Sequence, residues 1–338
     1  MGVCPEFARI RPQFDIHLFD TLPSTNTQVW QMLGAGAKAG CVAIAHRQTA
    51  GRGQRGRSWK SAVGGLYLSL ALEPDWPVAY GAQLTCLSAW GIAIALNNIG
   101  IAVKIKWPND LYFEGKKLGG ILTETKLSQS PPFREGSDWD STLIKQAVIG
   151  VGLNWHNVVP ETGVSLLTIL KRISPRVDKN KINCLEVLIA IVLRGILQGY
   201  IFQRQVGNQD FMKAYEKLLT QVGCTVSLDS RGRLSLAEPV GLSHGLSHSL
   251  SRRDSKSACP RVTTRVLKDA SPGDSVKGSR QWANRSGKVV GITEEGYLQV
   301  ALHPLPFDKK NGSTAHIPTA HIPADNILLF RPSEIHIS

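Results

Sequence analysis

The stretch CVAIAHRQTAGRGQRGRSWKSAVGGLYLSLAL, residues 41–72, sets two apolar, β-prone runs on either side of a basic, glycine-rich loop. CVAIAHRQ (41–48) and LYLSLAL (66–72) alternate as strands do, one entering the loop and one leaving it. Glycines at 51, 53 and 56 open backbone conformations closed to other residues and let main-chain N–H groups approach an anion. Arginines at 52, 55 and 57 add planar, permanently charged donors that grip a carboxylate or phosphate with two nitrogens at once. The loop is neither a G-x-x-x-x-G-K-[ST] phosphate loop nor a dinucleotide G-x-G-x-x-G opening a helix, because a strand follows Trp59 and its polar neighbours. Two readings stay open on the pattern alone: a lid ordered by an anionic ligand, or a solvated hairpin.

Upstream, Ser24, Thr25 and Asn26 precede an apolar-periodic run with Val29, Met32 and Leu33, a helix start. Downstream, residues 83–98 place Leu84, Leu87, Gly91, Ile94 and Ala95 on one helical face, and IAVKIKW, KLGGILTET and AVIGVGLNW read as three further strands. Residues 126–141 are polar and turn-rich and predict a loop. Two helices are expected over 185–204 and 209–220, after which the texture changes at Val222 to short alternating segments with glycine turns. The mixed order of strands and helices predicts an α+β protein, with a domain over residues 1–220 and a small all-β module over 221–338. Within that module, residues 239–286 carry the tandem GLSHGLSH and nine basic against three acidic residues, and predict a basic insertion outside the core.

Composition narrows the function classes. The chain has 338 residues, 42% of them apolar, and a formal net charge of +13, which favours anionic partners. Six cysteines at 4, 41, 86, 184, 224 and 259 form no C-x-x-C pair and read as isolated reduced thiols. The start, MGVCPEFARIRPQFD, has neither an export nor a transit signature, and Glu6 spoils a myristoylation pattern. The apolar run Leu185 to Leu193 contains Glu186 and meets Arg194, so no membrane span is expected, and the protein is expected to be cytoplasmic. His244 with His248 and His316 with His321 lack carboxylate or cysteine partners at ligand spacing, so no protein-held metal site is expected. The insertion lacks the interleaved aromatics of a single-strand nucleic-acid surface, and no nucleic-acid partner is expected.

A second constellation lies in KWPNDLYFEGKKLGGILTET, residues 106–125. Asn109 and Asp110 offer short polar heads at a strand end, Lys116 and Lys117 stand before a glycine pair, and Gly119 and Gly120 let a ligand lie against the backbone. GVGLN, residues 150–154, ends a small-residue strand on Asn154.

Taken in order, STN at 24–26, QTAGRGQRGRSW at 48–59, KWPNDLY at 106–112 followed by KLGGILTE, and GVGLN at 150–154 resemble the biotin protein ligase family. The resemblance covers roughly residues 16–228 with fragments near 286–302. It implies a class II synthetase-like catalytic domain with a mixed sheet and flanking helices, followed by a small SH3-like β-barrel. Residues 1–15 are too few for the DNA-binding winged helix of larger members, so the monofunctional type is implied. The implied reaction uses ATP, biotin and Mg²⁺ to form biotinyl-5'-AMP, then transfers biotin to a lysine on the carrier domain of a carboxylase such as acetyl-CoA carboxylase, by a monomer or homodimer. Alternatives are a ligase for lipoate or octanoate on the same fold, or a non-catalytic binding relative.

By position, the resemblance implies that Ser24, Thr25, Asn26 and Gln48 recognise the head of biotin. Arg52, Gly53 and Gln54 of the loop, with Lys117 and Gly120, would surround the carboxylate and the phosphate. Lys117, Arg52 and Asp110 are the implied catalytic set, Asp110 orienting the acceptor lysine. Arg57, Trp59, Asn109 and Asn154 are placed on the nucleotide side. Gln54 departs from the arginine common at this position, keeping a donor but losing the charge. A weaker hold on the adenylate than in a Gln54→Arg variant is therefore expected.

Overall fold

The computed structural model describes residues 13–128, 142–173, 182–228, 234–236, 285–303 and 327–330. The chain divides into two compact units, Met1–Thr220 with Ile292–Gly296, and Gln221–Gly291 with Tyr297–Ser338. Residues 239–284 of the insertion, a direct repeat TAHIPTAHIP at 314–323 and all four histidines considered for metal binding lie outside the described residues.

The first unit is built on a mixed sheet: β1 (Asp15–Leu22), β2 (Cys41–Gln48), β3 (Leu66–Leu72), β4 (Trp76–Pro77), β5 (Lys104–Lys106), β6 (Asp110–Phe113), β7 (Lys116–Leu127) and β8 (Leu143–Leu153). Their spatial order is β1-β2-β3-β8-β7-β6-β5, with β4 pairing β8. Only β1 and β2 run parallel; the other pairs are antiparallel. The runs at 41–48 and 66–72 form β2 and β3 with the expected limits, while IAVKIKW contributes only the three residues of β5.

Helix α1 (Thr25–Gly34) starts from Ser24 in extended conformation and buries Val29 and Leu33 against Cys41, Ala43, Ala71 and Val148 of the sheet. Helix α2 (Gly81–Asn97) corrects the expectation of a one-sided apolar face. Every residue from Leu84 to Ala93 is buried, while Ile94 and Ala95 are only partly so. The helix lies between the sheet and helix α4 (Leu185–Glu216), so water reaches little of its circumference. A short α3 (Leu166–Ile173) follows β8.

Helix α4 is interrupted at Gly207, whose φ of 78° and ψ of 175° suit only glycine, and this break separates the two helices that the sequence predicts. Aromatic rings gather on both sides of it. Trp90 of α2 stacks on Phe202 at 4.6 Å, and Phe211, beyond the break, meets Trp90 edge-on at 5.9 Å. Residues 78–97 and α4 are long and apolar enough to cross a membrane by composition alone. For α2 that character is accounted for by burial in the first unit.

The second unit holds β9 (Thr225–Leu228), β10 (Leu234–Leu236), β11 (Ser286–Ile292) up to Gly291, β12 (Leu298–Leu302) and β13 (Ile327–Phe330), in the order β10-β9-β11-β12-β13. This five-stranded sheet is consistent with an SH3-like module. The expected closed barrel is corrected: β10 and β13 stand at opposite ends of the sheet and do not pair, so among the described residues it stays open.

Candidate active site

Strand register decides which side chains share a face. Ser69 of β3 pairs with Gly150 of β8, which pairs with Leu122 of β7; one step along, Tyr67, Gly152 and Gly120 align in the same way. Alternation then sets Ser69, Gly150, Gly152, Gly120 and Glu124 on one side of the sheet. This is also the side that receives α1, since Ala43, Ala71 and Val148 meet that helix. The floor is low where glycine replaces a side chain. A Cβ on Gly150 would run into Asn26 Oδ1, and one on Gly152 would lie 2.5 Å from Trp59 Nε1.

The start of α1 delivers polar groups onto this floor. Ser24, Thr25 and Asn26 are all buried. Gln48 Oε1, at the end of β2, accepts from the Thr25 N–H at 2.8 Å, and Gln48 Nε2 donates to Ser61 Oγ at 2.8 Å. Ser69 Oγ lies 2.8 Å from the Thr25 hydroxyl and donates to Asn26 Oδ1 at 2.6 Å. Asn26 Nδ2 donates to Glu124 Oε2 at 2.9 Å. A continuous line of hydrogen bonds thus joins Ser61, Gln48, Thr25, Ser69, Asn26 and Glu124.

The arginine loop folds as a hairpin over this line, with bridges pairing Gln48 with Ser61 and Arg52 with Ser58. The backbone of Trp59 donates to Gly51 and that of Gly53 to Arg57. The turn is a short 3-10 segment, Gln54–Gly56, with Arg55 left-handed at φ 59°. Arg55 and Arg57 are exposed, and partial burial with the charge of Arg57 lowers the Arg55 pKa from its ordinary value. Arg52 turns inward and contacts Glu124 with both terminal nitrogens at 2.9 Å.

Trp59 also faces inward. Its indole lies against Gly152, and its Nε1–H is buried without a partner. An orphaned buried donor costs about 1–3 kcal/mol, so this spot favours a ligand bringing an acceptor. Lys117 Nζ sits 5.2 Å from the Trp59 ring centre and 2.7 Å from Asp110 Oδ1. A Cβ on Gly120 would come within 3.0 Å of that same Asp110 oxygen, so the glycine leaves room for the ion pair. Lys117 is fixed by its backbone, which donates to Thr162 and accepts from Val164.

The expected site residues therefore fall into two adjoining groups. Ser24, Thr25, Asn26 and Gln48 surround the α1 start, while Lys117, Asp110, Gly120 and Trp59 meet at the end of β7. Arg52 joins the first group through Glu124, and Gln54 and Arg57 stay at the hairpin turn. The asparagines turn their amides to the protein: Asn109 Nδ2 donates to Ile121 O at 2.7 Å, and Asn154 Nδ2 to Lys117 O at 3.3 Å. They brace the strand ends that carry Asp110 and Lys117. Ser61, Ser69, Glu124 and Gly152 were not singled out in the sequence. The only signal for Ser69 is a single serine in a strand otherwise made of aliphatic residues and Tyr67.

Among the described residues, the atoms of Asp15, His17 and Cys41 come within 4.8 Å of one another at the far end of β2 from Gln48. Burial, helped by Asp15, pushes the Cys41 thiol up, which fits a protonated core thiol rather than a ligand.

The model of the biotin/lipoate A/B protein ligase family matches residues 18–132, which include the α1 start, the arginine loop and Lys117. A biotin--[acetyl-CoA-carboxylase] ligase from Mycobacterium tuberculosis is 31% identical over 219 residues, 62% of this chain and 72% of that protein. The chain belongs to the biotin/lipoate A/B protein ligase family. Among other family relatives, the bifunctional ligase/repressor BirA of Bacillus subtilis is 36% identical over 137 residues, 40% of this chain and 38% of its own. That of Escherichia coli is 31% identical over 207 residues, 60% of this chain and 59% of its own. The match thus spans less than two thirds of the length of these two relatives. The family fold extends through both units: a biotin protein ligase from Aquifex aeolicus, solved with biotin and ATP, superposes with a TM-score of 0.54 at 20% identity, covering 95% of this chain and 97% of that one.

Proposed function

We propose that this chain activates biotin with ATP as biotinyl-5'-AMP and transfers the biotinyl group to one lysine on the carrier domain of a biotin-dependent carboxylase. The observation that carries this is the line of hydrogen bonds from Gln48 to Glu124 beside the Lys117–Asp110 pair. A cyclic urea is a small, flat group with two N–H donors and one carbonyl acceptor, and it needs fixed polar partners in an otherwise dry pocket. Thr25, Asn26, Gln48 and Ser69 supply hydroxyls and amides of both senses there, and the glycine floor lets the ring system approach the sheet. The M. tuberculosis ligase and the Aquifex ligand complex support biotin and ATP as the ligands.

In the first step a carboxylate oxygen forms a bond to the α-phosphorus of ATP and pyrophosphate leaves. Two anions must approach, so the enzyme contributes mostly position and positive charge. Lys117 Nζ would lie 3.7 Å from a Cβ on Gly120 at the edge of the glycine floor, and it exchanges Asp110 for the developing charge. Trp59 covers the same spot and gives its indole N–H to the ligand. Arg57 adds to the field at the hairpin turn. Asp110, released from Lys117, then orients the acceptor amine and takes up a proton as the amine nitrogen attacks the carbonyl carbon and AMP leaves. Asn109 and Asn154 line the nucleotide side by holding their strand ends in place. The two carboxylates at the site are matched by cations, Asp110 by Lys117 and Glu124 by Arg52. Mg²⁺ fits as an ion carried on the triphosphate, supplying charge neutralisation there.

The net charge of +13 suits an acidic carrier domain and would speed encounter. The direct test incubates the protein with ATP, Mg²⁺, biotin and an isolated carrier domain, followed by intact-mass spectrometry. A gain of one biotinyl group, lost when the acceptor lysine is changed to arginine, is expected. A carrier domain that stays unmodified overturns the transfer step.

A further inference from the structure

One carboxylate gathers donors from two separate parts of the chain. Glu124 on β7 accepts from Asn26 Nδ2 at 2.9 Å and Trp30 Nε1 at 3.2 Å, both on α1, and pairs with Arg52 of the hairpin through both oxygens. The Glu124 side chain is 26% exposed and Arg52 44% exposed. Half-exposed ion pairs are weak in general. Here the carboxylate is held in advance by α1, so Arg52 meets a fixed partner in a two-pronged geometry, where such pairs are strongest.

The hydrogen bonds also close a ring. From Ser61 at one stem of the hairpin, contacts run through Gln48, Thr25, Ser69 and Asn26 to Glu124, and from Glu124 back to Arg52 in the other stem. Backbone bonds from Thr49 to Leu22 and from Ala50 to Pro23, both 2.9 Å, tie the base of this stem to the end of β1, and the Arg52–Glu124 pair is a side-chain tie farther toward the turn.

We infer that Glu124 is a positioning residue that latches the arginine hairpin onto the α1 start through Arg52 and thereby sets how long the acyl-adenylate is retained. This rests on the proposed biotin adenylation for its ligand. It gives Arg52 a task distinct from touching phosphate: both of its terminal nitrogens are engaged by Glu124, so it fastens the hairpin while Lys117 supplies charge at the phosphorus. Occupation of the pocket beside Asn26 would be sensed by the loop through the shared carboxylate, because any shift of Asn26 moves the acceptor that holds Arg52.

Glu124→Gln keeps the size and one acceptor oxygen for the α1 donors but removes the charge that pairs with Arg52. The rate of biotinyl-5'-AMP release is expected to rise about three- to tenfold, a range set by the strength of charge-assisted pairs. Because Glu124 also holds Asn26, the KM for biotin in pyrophosphate exchange is expected to rise, so release is read on enzyme preloaded with adenylate, where biotin affinity does not enter; Tm is expected to stay close to the wild type, as loss of a partly exposed pair implies. Arg52→Met with Glu124→Gln should release adenylate no faster than either single variant, the signature of one shared contact. Unchanged release in E124Q, or faster release that adds fully in the double variant, overturns the latch. If the wild type makes no adenylate, the ligase reading fails instead, and the latch is then read on the ligand-free proteins by trypsin cleavage after Arg55 and Arg57. Faster cleavage in E124Q sustains it, and equal cleavage overturns it.

Discussion

Gly150 shows how far a residue's meaning here depends on its neighbours across the sheet. In sequence it belongs to a small-residue strand; in the structure it is the place where Asn26 rests on β8. Adding one methyl group at Gly150 should push the Asn26 amide off its bonds to Ser69 and Glu124 while leaving α1 packed through Val29 and Leu33. Gly150→Ala is therefore expected to raise the KM for biotin about tenfold or more, equivalent to ~1.4 kcal/mol, with little change in Tm. Steady-state kinetics beside a thermal melt separates that outcome from simple unfolding. The residues at 24–26, Gln48 and Lys117 stand out through the family resemblance, because its motifs are short contiguous runs. Ser69 and Glu124 do not, because their importance arises from register: Ser69 matters by lying beside Gly150, and Glu124 by facing α1 from two residues beyond Leu122.

At the level of elements, the periodic runs carried most of the fold. Strands β2 and β3 and the start of α1 lie where alternation and the STN start signal place them, and the break at Gly207 falls between the two predicted helices. Strand β1 was harder to see, since Ile16 and Leu18 are 47% and 70% exposed and an edge strand of this kind lacks a buried alternation. Helix α2 misled in the other direction, because burial all round leaves no amphipathic stripe to read. The end of α4 offers a pH test. Burial raises the Glu216 carboxyl above its ordinary value, partly offset by a hydrogen bond from the Ile292 backbone. A raised carboxyl favours folding fully below its unfolded value, near 4.5, and loses that contribution as pH rises through the folded value. At pH 7–8 the ionised group also sits at the unfavourable end of the helix dipole. Glu216→Gln should then melt about 1–2 °C higher than the wild type at pH 7–8. The difference should vanish below pH 4.5. A gap independent of pH would show that the carboxylate is not its cause.

Across the whole molecule, the change of texture at Val222 and the division near Gln221 occur together because apolar periodicity and compactness both follow from which residues share a core. The extent of the second sheet was less legible, since its strands are short and β10 and β11 are separated by about fifty residues whose composition does not suggest a core. The first unit concentrates its chemistry on one face of the sheet, where polar groups from α1, a covering hairpin and a lysine at a strand end converge over a glycine floor. That convergence suits activation of a carboxylate by a nucleoside triphosphate, the central claim of the proposed function. Its most direct test is exchange of labelled pyrophosphate into ATP by the purified protein, run in parallel with biotin, with lipoate and with no added acid. Exchange that requires biotin and is absent with lipoate or without an acid is the expected result; exchange with lipoate alone, or none with either acid, would contradict it.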